Sequence, residues 1–289
     1  MILPVVPPTA LIEGKTYGQW SEEWWRWAYS LPVNHHPLFD NAPASAGQSG
    51  WVWFLGGNFT GTPAVRTATV PAGKALFFAI LDAQQDDTDC DGDRRIADPL
   101  TEAQLRANVK ALMDSAHDLR CTLDGVAIPG LAERYRAASA TPGGFSYTQP
   151  GLNNFLSNFG YPCWSNSNGD PVFVDAPIYH PVADGYYVML EPLSVGEHTL
   201  HFSGELGNPM TFAQDVTYHL TVNVVAEQPV ITHTHSGHSI AISWNLSGFT
   251  LEASDTLGAA ANWSAVPGGS SSPVLVDASS GTKFYRLRK

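Results

Sequence analysis

Residues 64–81 read Ala-Val-Arg-Thr-Ala-Thr-Val-Pro-Ala-Gly-Lys-Ala-Leu-Phe-Phe-Ala-Ile-Leu, two β-prone runs joined by a Pro-Ala-Gly turn. β-Branched and aromatic residues favour extended backbone, and proline and glycine between two such runs are typical of a turn between strands. The stretch therefore predicts strands over 64–70 and 75–81 and the beginning of an antiparallel sheet.

Further strands are predicted on both sides of this stretch. They lie at 51–55, 119–123, 172–179, 186–190, 198–203 and 211–225. Between them, residues 136–170 are rich in glycine, asparagine, serine and proline and predict a long surface loop.

Two segments instead show the spacing of amphipathic helices. The first, 15–30, repeats tryptophan at helical intervals and has Ser21 as its expected N-cap. Its aromatic surface is expected either to pack on the sheet or to form a stacking platform for a sugar or another ligand. The second, 100–118, has Thr101 as its expected N-cap. Its predicted apolar face consists of Leu105, Val109, Leu112 and Met113.

A change of composition near 227–229 predicts a domain boundary. Acidic and basic residues balance beyond it, whereas residues 1–226 carry the whole excess of negative charge. Short strands are expected after the boundary at 240–244, 249–253, 263–266, 274–276 and 284–287. The predicted fold is mainly β: an antiparallel β-sandwich of jelly-roll or immunoglobulin-like type with two packed helices over 1–226, and a small all-β module over 227–289.

Charge and composition restrict the partners and the compartment. The net charge of −12 repels phosphate backbones and anionic lipids, which excludes nucleic acids and membrane surfaces as partners and favours cations. The chain has no run of about 18 apolar residues, so no membrane insertion is expected. Few lysines and cysteines and many aromatic residues are typical of a secreted or periplasmic bacterial protein, whose leader peptide we expect to have been trimmed from this chain.

Three cysteines, Cys90, Cys121 and Cys163, allow one disulfide and leave one thiol over. The sequence cannot choose among the three pairings. In an oxidising compartment the expected pair is Cys121 with Cys163, and the alternative is three reduced, partly buried thiols.

The strongest motif for a ligand site is residues 87–98, Asp-Thr-Asp-Cys-Asp-Gly-Asp-Arg-Arg-Ile-Ala-Asp. It matches the calcium loop, in which oxygens at positions 1, 3 and 5, a glycine at position 6 and an acidic residue at position 12 surround one cation. A calcium ion there is expected to be structural, because protein oxygens fill most of its shell. The alternative is a solvated acidic turn. The predicted ligands are Asp87, Asp89, Asp91, the carbonyl of Asp93, and Asp98.

A second metal motif is His233-Thr-His-Ser-Gly-His238. It resembles the His-x-His-x-Asp-His motif of the metallo-β-lactamase superfamily, which includes zinc lactone hydrolases. However, Gly237 stands where that motif has aspartate, and no histidine follows His238. Three interpretations remain open: a catalytic zinc site, adventitious metal binding, and a polar strand with His233 and His235 on one face.

For hydrolysis, His180 is the candidate general base, because it follows a predicted strand and has carboxylates nearby in the sequence. Asp175 or Asp184 would orient its imidazole, in a pocket edged by the predicted loop 136–170. The alternative for a single histidine in this position is a structural role.

Several segments resemble known groups of proteins. Residues 17–27, 47–55, 70–78 and 215–222 resemble a family of uncharacterised secreted bacterial β-sandwich proteins. The segment from 227 onward, with Ile-Ser-Trp and a terminal Phe-Tyr-Arg-Leu-Arg, resembles the C-terminal modules of secreted proteins from Verrucomicrobia-like and Planctomycetes-like bacteria, which implies attachment or sorting. The chain also resembles metagenome-derived, calcium-dependent hydrolases of N-acylhomoserine lactones.

Three functions follow from these features, since the fold class alone does not decide function. The resemblance to lactone hydrolases implies a secreted, calcium-dependent hydrolase of a small ester or lactone, such as an N-acylhomoserine lactone. The predicted calcium loop, the aromatic residues and the accessory module favour a calcium-stabilised carbohydrate- or surface-binding protein without catalytic activity. A structural component of the cell envelope is the third, for which the sequence offers no separate evidence.

The calcium loop makes a measurable prediction. Calcium at about 100 times its Kd should stabilise the native protein by about 2.7 kcal/mol, because it binds the folded state alone. Thermal unfolding with calcium and with chelator should show this increment, and Asp89→Ala should abolish it. A melting temperature that neither calcium nor chelator changes, with no metal in the purified protein, would leave only an acidic turn.

Overall fold

A computed structural model describes residues 3–86, 100–150, 153–155, 177–178, 181–224, 229–258, 261–279 and 281–289. The chain divides into two compact units, Met1–Val224 and Val225–Lys289. The fold is mainly β with several antiparallel sheets, which confirms the predicted fold class. None of the described helices is long and apolar enough to cross a membrane.

The first unit contains two main sheets. The four-stranded sheet has the order β1 (Val52–Leu55), β3 (Ala75–Gln85), β9 (Val182–Leu190) and β6 (Arg136–Ala138). The five-stranded sheet has the order β2 (Ala64–Pro71), β11 (Phe212–Asn223), β10 (Gly196–Leu206), β4 (Ala116–Leu123) and β5 (Val126–Ala127). A short pair joins β7 (Tyr147–Thr148) to β8 (Pro177–Ile178). Two pairs in the main sheets, β1 with β3 and β2 with β11, are parallel.

The two sheets share a core because β3 is buried on both faces. Phe78 of β3 stacks on Phe202 of β10, with ring centroids 4.8 Å apart, and joins the sheets. On the other face of β3, Phe77 contacts Tyr17 and stacks on Tyr187. A strand buried on both faces reads as a continuous apolar run, as 75–81 does.

The strands predicted at 64–70 and 75–81 both exist, but they do not begin one antiparallel sheet together, as was expected. β2 pairs with β11 and β3 pairs with β1 and β9, so the turn between them connects the two sheets. The burial patterns give the reason. β2 alternates between exposed and more buried positions, as an edge strand with one wet face does, whereas β3 needs apolar cover on both faces.

The helices are α1 (Tyr17–Ser30), α2 (Glu102–Met113) and the single turn α3 (Leu131–Arg134). Thr16 caps α1 in a capping box with Gln19, so the expected N-cap at Ser21 is wrong. Ser21 is buried inside the helix, where its hydroxyl donates to the Gly18 carbonyl. The predicted Thr101 cap of α2 is confirmed.

The tryptophans of α1 are buried against the sheet, which favours the packing interpretation over a stacking platform. Exposed fractions are 6% or less for its four tryptophans, Trp20, Trp24, Trp25 and Trp27. In α2, the predicted apolar face holds at Leu105, Val109 and Met113. Leu112 is 43% exposed, because it lies beside Met113 on the helix and falls outside the buried stripe.

The predicted surface loop 136–170 is only partly correct over its described residues, of which 140, 142 and 143 are exposed. Residues 136–138 form β6, and Phe145, Tyr147 and Gln149 are buried. The buried carboxylate of Glu22 in α1 fixes this segment by accepting hydrogen bonds from the Ala140 and Thr141 backbone nitrogens, at 2.8 and 2.7 Å. Charge-assisted bonds to the backbone replace the water that a surface loop would use.

The second unit is a small all-β module. One sheet contains β12 (Ile231–Ser236), β13 (Ser239–Trp244) and β16 (Val274–Asp277), and the other contains β15 (Ser264–Ala265), β14 (Thr250–Ser254) and β17 (Phe284–Arg288). Its core consists of Ile242, Trp244, Leu251, Val274 and Val276.

Gly18 tests how closely α1 approaches the sheet. A Cβ at Gly18 would lie 2.2 Å from the Ala138 carbonyl oxygen of β6. Alanine improves helix propensity by about 1 kcal/mol, but overpacking costs about 1–3 kcal/mol and the clash here is with backbone. We therefore expect Gly18→Ala to lower the free energy of unfolding in urea. The exposed control Asn108→Ala should raise it by about 0.5 kcal/mol, and equal gains in both variants would contradict the close approach.

Candidate functional site

A β-bulge in β3 directs Asp82 towards α1. Ala79 pairs with Tyr187 and Leu81 pairs with the next residue of β9, Tyr186, so Ile80 is the extra residue. Strict alternation would place Asp82 on the face of Phe78, between the sheets. The bulge reverses the phase, so Leu81 takes that position and Asp82 joins Phe77 on the α1 face.

The side chain of Gln214 in β11 holds this bulge in place. Its Nε2 donates to the carbonyls of Ala79 and Ile80, at 3.1 and 2.5 Å. Its Oε1 accepts from the Asn58 backbone nitrogen at 3.0 Å. One buried carboxamide therefore satisfies the backbone groups that the bulge releases and anchors the loop beside them.

Asp82 is a partly buried carboxyl in aromatic surroundings. Loss of hydration raises its pKa from 3.8 to about 7, and the hydrogen bond from the Tyr187 hydroxyl, at 3.5 Å, only partly opposes this shift. Gly185 faces Asp82 across the sheet, where a Cβ would lie 2.6 Å from the Asp82 Cβ. The site therefore requires glycine at that position.

A small cavity opens beside the Asp82 carboxyl. Its volume is about 30 Å³, which is room for one or two water molecules. Its lining is mixed: the apolar side chains of Trp24, Leu38, Phe59 and Phe212 meet polar groups that include Asp82. A carboxyl with a pKa near neutrality beside space for water is an arrangement suited to general acid–base chemistry.

A hydrogen-bond network lies beyond Asp82, near the end of β3. The Tyr29 hydroxyl of α1 donates to Gln84 at 2.6 Å, and Gln84 donates to Asp86 at 3.0 Å. Tyr147 also donates to Asp86, at 2.7 Å, and its ring stacks on Tyr29. Burial, and then the charges of Asp86 and Asp82, raise the pKa of Tyr29, so its hydroxyl stays protonated.

Of the predicted catalytic residues, the structure describes Asp184. Its buried carboxylate accepts two hydrogen bonds from Arg136, at 2.7 Å from Nη2 and 3.1 Å from Nε, and Arg136 also binds Asp114. His180 and Asp175 lie outside the described residues, so the base predicted at His180 stays a prediction. The predicted calcium ligands Asp87, Asp89, Asp91, Asp93 and Asp98 also lie outside them.

The other sequence motifs have separate outcomes. Cys121 is a buried free thiol whose pKa is raised by burial, so the expected Cys121–Cys163 disulfide is wrong. Cys121 occupies a core position of β4, while Cys90 and Cys163 lie outside the described residues. His233 and His235 are exposed on β12 with ring centroids 5.4 Å apart, which is the predicted placement on one strand face.

A row of Ser194, His198 and Asp124 resembles a catalytic triad. Ser194 Oγ lies 3.2 Å from His198 Nε2, and His198 Nδ1 lies 2.8 Å from Asp124. However, His198 Nε2 is closer to the Ser194 carbonyl, at 2.9 Å. Because a carbonyl only accepts, this nitrogen carries a hydrogen and cannot take the serine proton. The row ties two loops together.

The described residues contain one group of three side chains that could share a metal ion: His117, Asp118 and Glu205. They lie on the outer face of the five-stranded sheet, where no sequence motif predicts them.

Comparisons of the chain with protein-family models, curated proteins and solved structures found no match. Function therefore has to be argued from the sites themselves.

The raised pKa of Asp82 predicts how stability depends on pH. Between about pH 4 and 7 the native state keeps a proton that the unfolded state has lost, so stability falls as pH rises, by up to about 1.4 kcal/mol per unit. Asp82→Asn removes this dependence and should be more stable than the wild type above pH 7. Urea unfolding of both proteins from pH 4 to 8 measures the difference, and parallel curves would exclude the raised pKa.

Proposed function

We propose that this protein hydrolyses a small ester or lactone, with Asp82 as the general base that activates water. One observation carries the proposal: a carboxyl with a pKa near 7 lines a cavity that has room for water. A base is most effective when its pKa lies near the working pH. Most aspartates in water ionise near pH 4 and are too weak as bases for this role.

The reaction would need no covalent intermediate. Ionised Asp82 takes a proton from water as the oxygen attacks the substrate carbonyl, and a tetrahedral oxyanion forms. When this collapses and the carbon–oxygen bond to the leaving group breaks, Asp82 returns the proton to the leaving alcohol. The cavity is large enough only for water, so the carbonyl would approach from its open side. Tyr187 positions the carboxyl through its hydroxyl.

The predicted calcium loop fits this proposal as a structural element. It connects the end of β3 at Gln85, three residues beyond Asp82, to the capped start of α2 at Glu102. A bound calcium ion would tie down the segment that follows the proposed base. Loops that bind calcium in the 10⁻⁴–10⁻³ M range serve extracellular modules, which is consistent with a secreted protein.

The alternative is a carbohydrate- or surface-binding protein without catalysis. It relied on aromatic rings available for stacking, but the tryptophans of α1 are buried. Among the described residues, the large apolar side chains that are exposed are not aromatic; examples are Leu11, Val65 and Leu275. Burial of these rings favours the hydrolase over the binding protein.

The test is turnover of a chromogenic short-chain ester and of an N-acylhomoserine lactone. We expect kcat/KM of the wild type to rise with pH through about 7, as Asp82 ionises. Asp82→Asn should lower kcat/KM by at least about 10²-fold, the low end for loss of a general base. The matched control Asp215→Asn changes an exposed aspartate and should leave the rate unchanged.

Two results would contradict this assignment. If Asp82→Asn keeps full activity while His180→Ala loses it, the base is His180. If no condition gives turnover and the protein is retained on an insoluble polysaccharide, the binding function replaces the hydrolase.

A further inference from the structure

A second β-bulge brings two neighbouring ligand-type side chains together on the outer face of the five-stranded sheet. The register between β4 and β10 shifts between Ser203 and Glu205, and Asp118 adopts a left-handed φ of 51°. Consecutive residues of a regular strand point to opposite faces. At this bulge, His117 and Asp118 both approach Glu205, and one ligand atom from each of the three lies within 4.8 Å of the others.

The imidazole of His117 is oriented by a group outside this cluster. Its Nε2 lies 2.9 Å from the Gly207 carbonyl, which can only accept, so Nε2 carries a hydrogen. Nδ1 therefore faces the carboxylates of Asp118 and Glu205, at 3.0 and 3.9 Å. In the neutral ring Nδ1 carries a lone pair and no hydrogen. Nδ1 and the carboxylates of Asp118 and Glu205 are therefore three acceptors that point to one place. Metal-binding histidines are commonly oriented in this way, with the other ring nitrogen donating to a carbonyl.

Two members of the cluster, Asp118 and Glu205, line a cavity of about 410 Å³ with an acidic lining. Three carboxylates line it, from Asp118, Glu205 and Asp215, against the single cation of Arg120. This charge excludes an anion and favours a cation. The volume also exceeds what one metal ion needs, so water or a small ligand could occupy the remaining coordination positions.

We propose that His117, Asp118 and Glu205 form a site for a divalent transition-metal ion of the zinc class. One imidazole and two carboxylates match Zn²⁺ better than the all-oxygen shells of calcium and magnesium. Three protein ligands beside an open cavity leave a coordination position free, as in sites where a metal binds a small ligand. The site is independent of the proposed hydrolysis at Asp82.

The same sheet face supplies a matched control. His201 Nε2 lies 3.0 Å from Asp215 Oδ1, the distance that separates His117 from Asp118. In this second pair the histidine contacts one carboxylate, whereas His117 contacts two. It therefore tests whether any histidine–aspartate contact on this face binds the metal.

The experiment is calorimetric titration of the metal-stripped full chain with ZnCl₂. His233→Ala and His235→Ala are introduced into every protein, so that the exposed pair on β12 does not contribute. We expect one Zn²⁺ to bind to the parent protein. His117→Gln and Glu205→Gln should each raise the Kd for zinc at least about 10-fold, since loss of a residue that only orients a ligand already costs that much. His201→Gln should bind as the parent does, and CaCl₂ should bind more weakly than ZnCl₂ at this site.

Melting temperatures of the metal-free proteins separate loss of the site from loss of the fold. The substituted side chains are partly or largely exposed, so these temperatures should agree. Zinc binding that His117→Gln leaves unchanged overturns the proposal. The proposal is also overturned if the parent protein binds no zinc at neutral pH. The proton on His117 Nδ1 would then be what pairs with the two carboxylates.

Discussion

The Gln214 carboxamide at the Ile80 bulge is the contact on which the other features of the first unit depend. A bulge releases backbone carbonyls that a buried strand cannot leave unpaired, and Gln214 satisfies two of them. These hydrogen bonds stabilise the bulge, beyond which the side chains of β3 alternate in the opposite sense. Leu81 can then fill the space between the sheets, and the polar side chains of Asp82 and Gln84 at the end of the strand turn to α1. The same side chain holds Asn58 beside the cavity.

The cover that α1 provides raises the pKa of Asp82, which makes it a weaker acid than an exposed aspartate. Trp24 of α1 lines the cavity together with Asp82, and its indole N–H donates to the Leu55 carbonyl, not to the carboxylate. Arg136, a cation of the same sheet, binds Asp184 and Asp114. Asp82 and Asp184 lie on paired strands, and the Arg136 guanidinium binds Asp184. Loss of hydration is the largest cause of the raised pKa of Asp82, where no cation is among the causes of the shift.

The sequence predicts the elements better than their arrangement. The strands, the Thr101 cap and the buried face of α2 could be predicted because composition and periodicity act locally. The separation of β2 and β3 into two sheets could not, since it depends on which strands bury both faces. Asp82 was missed for a related reason. Its alternation with Phe78 gives no sign of a bulge, and Gln214, which holds the bulge, is 132 residues further along the chain than Asp82. The cluster at His117 depends equally on a bulge.

The parallel pairing of β2 with β11 also constrains how the chain folds during synthesis. β2 begins at residue 64, and its partner ends at residue 223. At about 5–20 residues per second, β2 would wait roughly 10–30 s on the ribosome before β11 emerges. During that interval its backbone groups have no partner strand from β11 and are open to pairing with other chains. The late closure and the many long-range pairings predict slow folding and vulnerability of incomplete chains to aggregation.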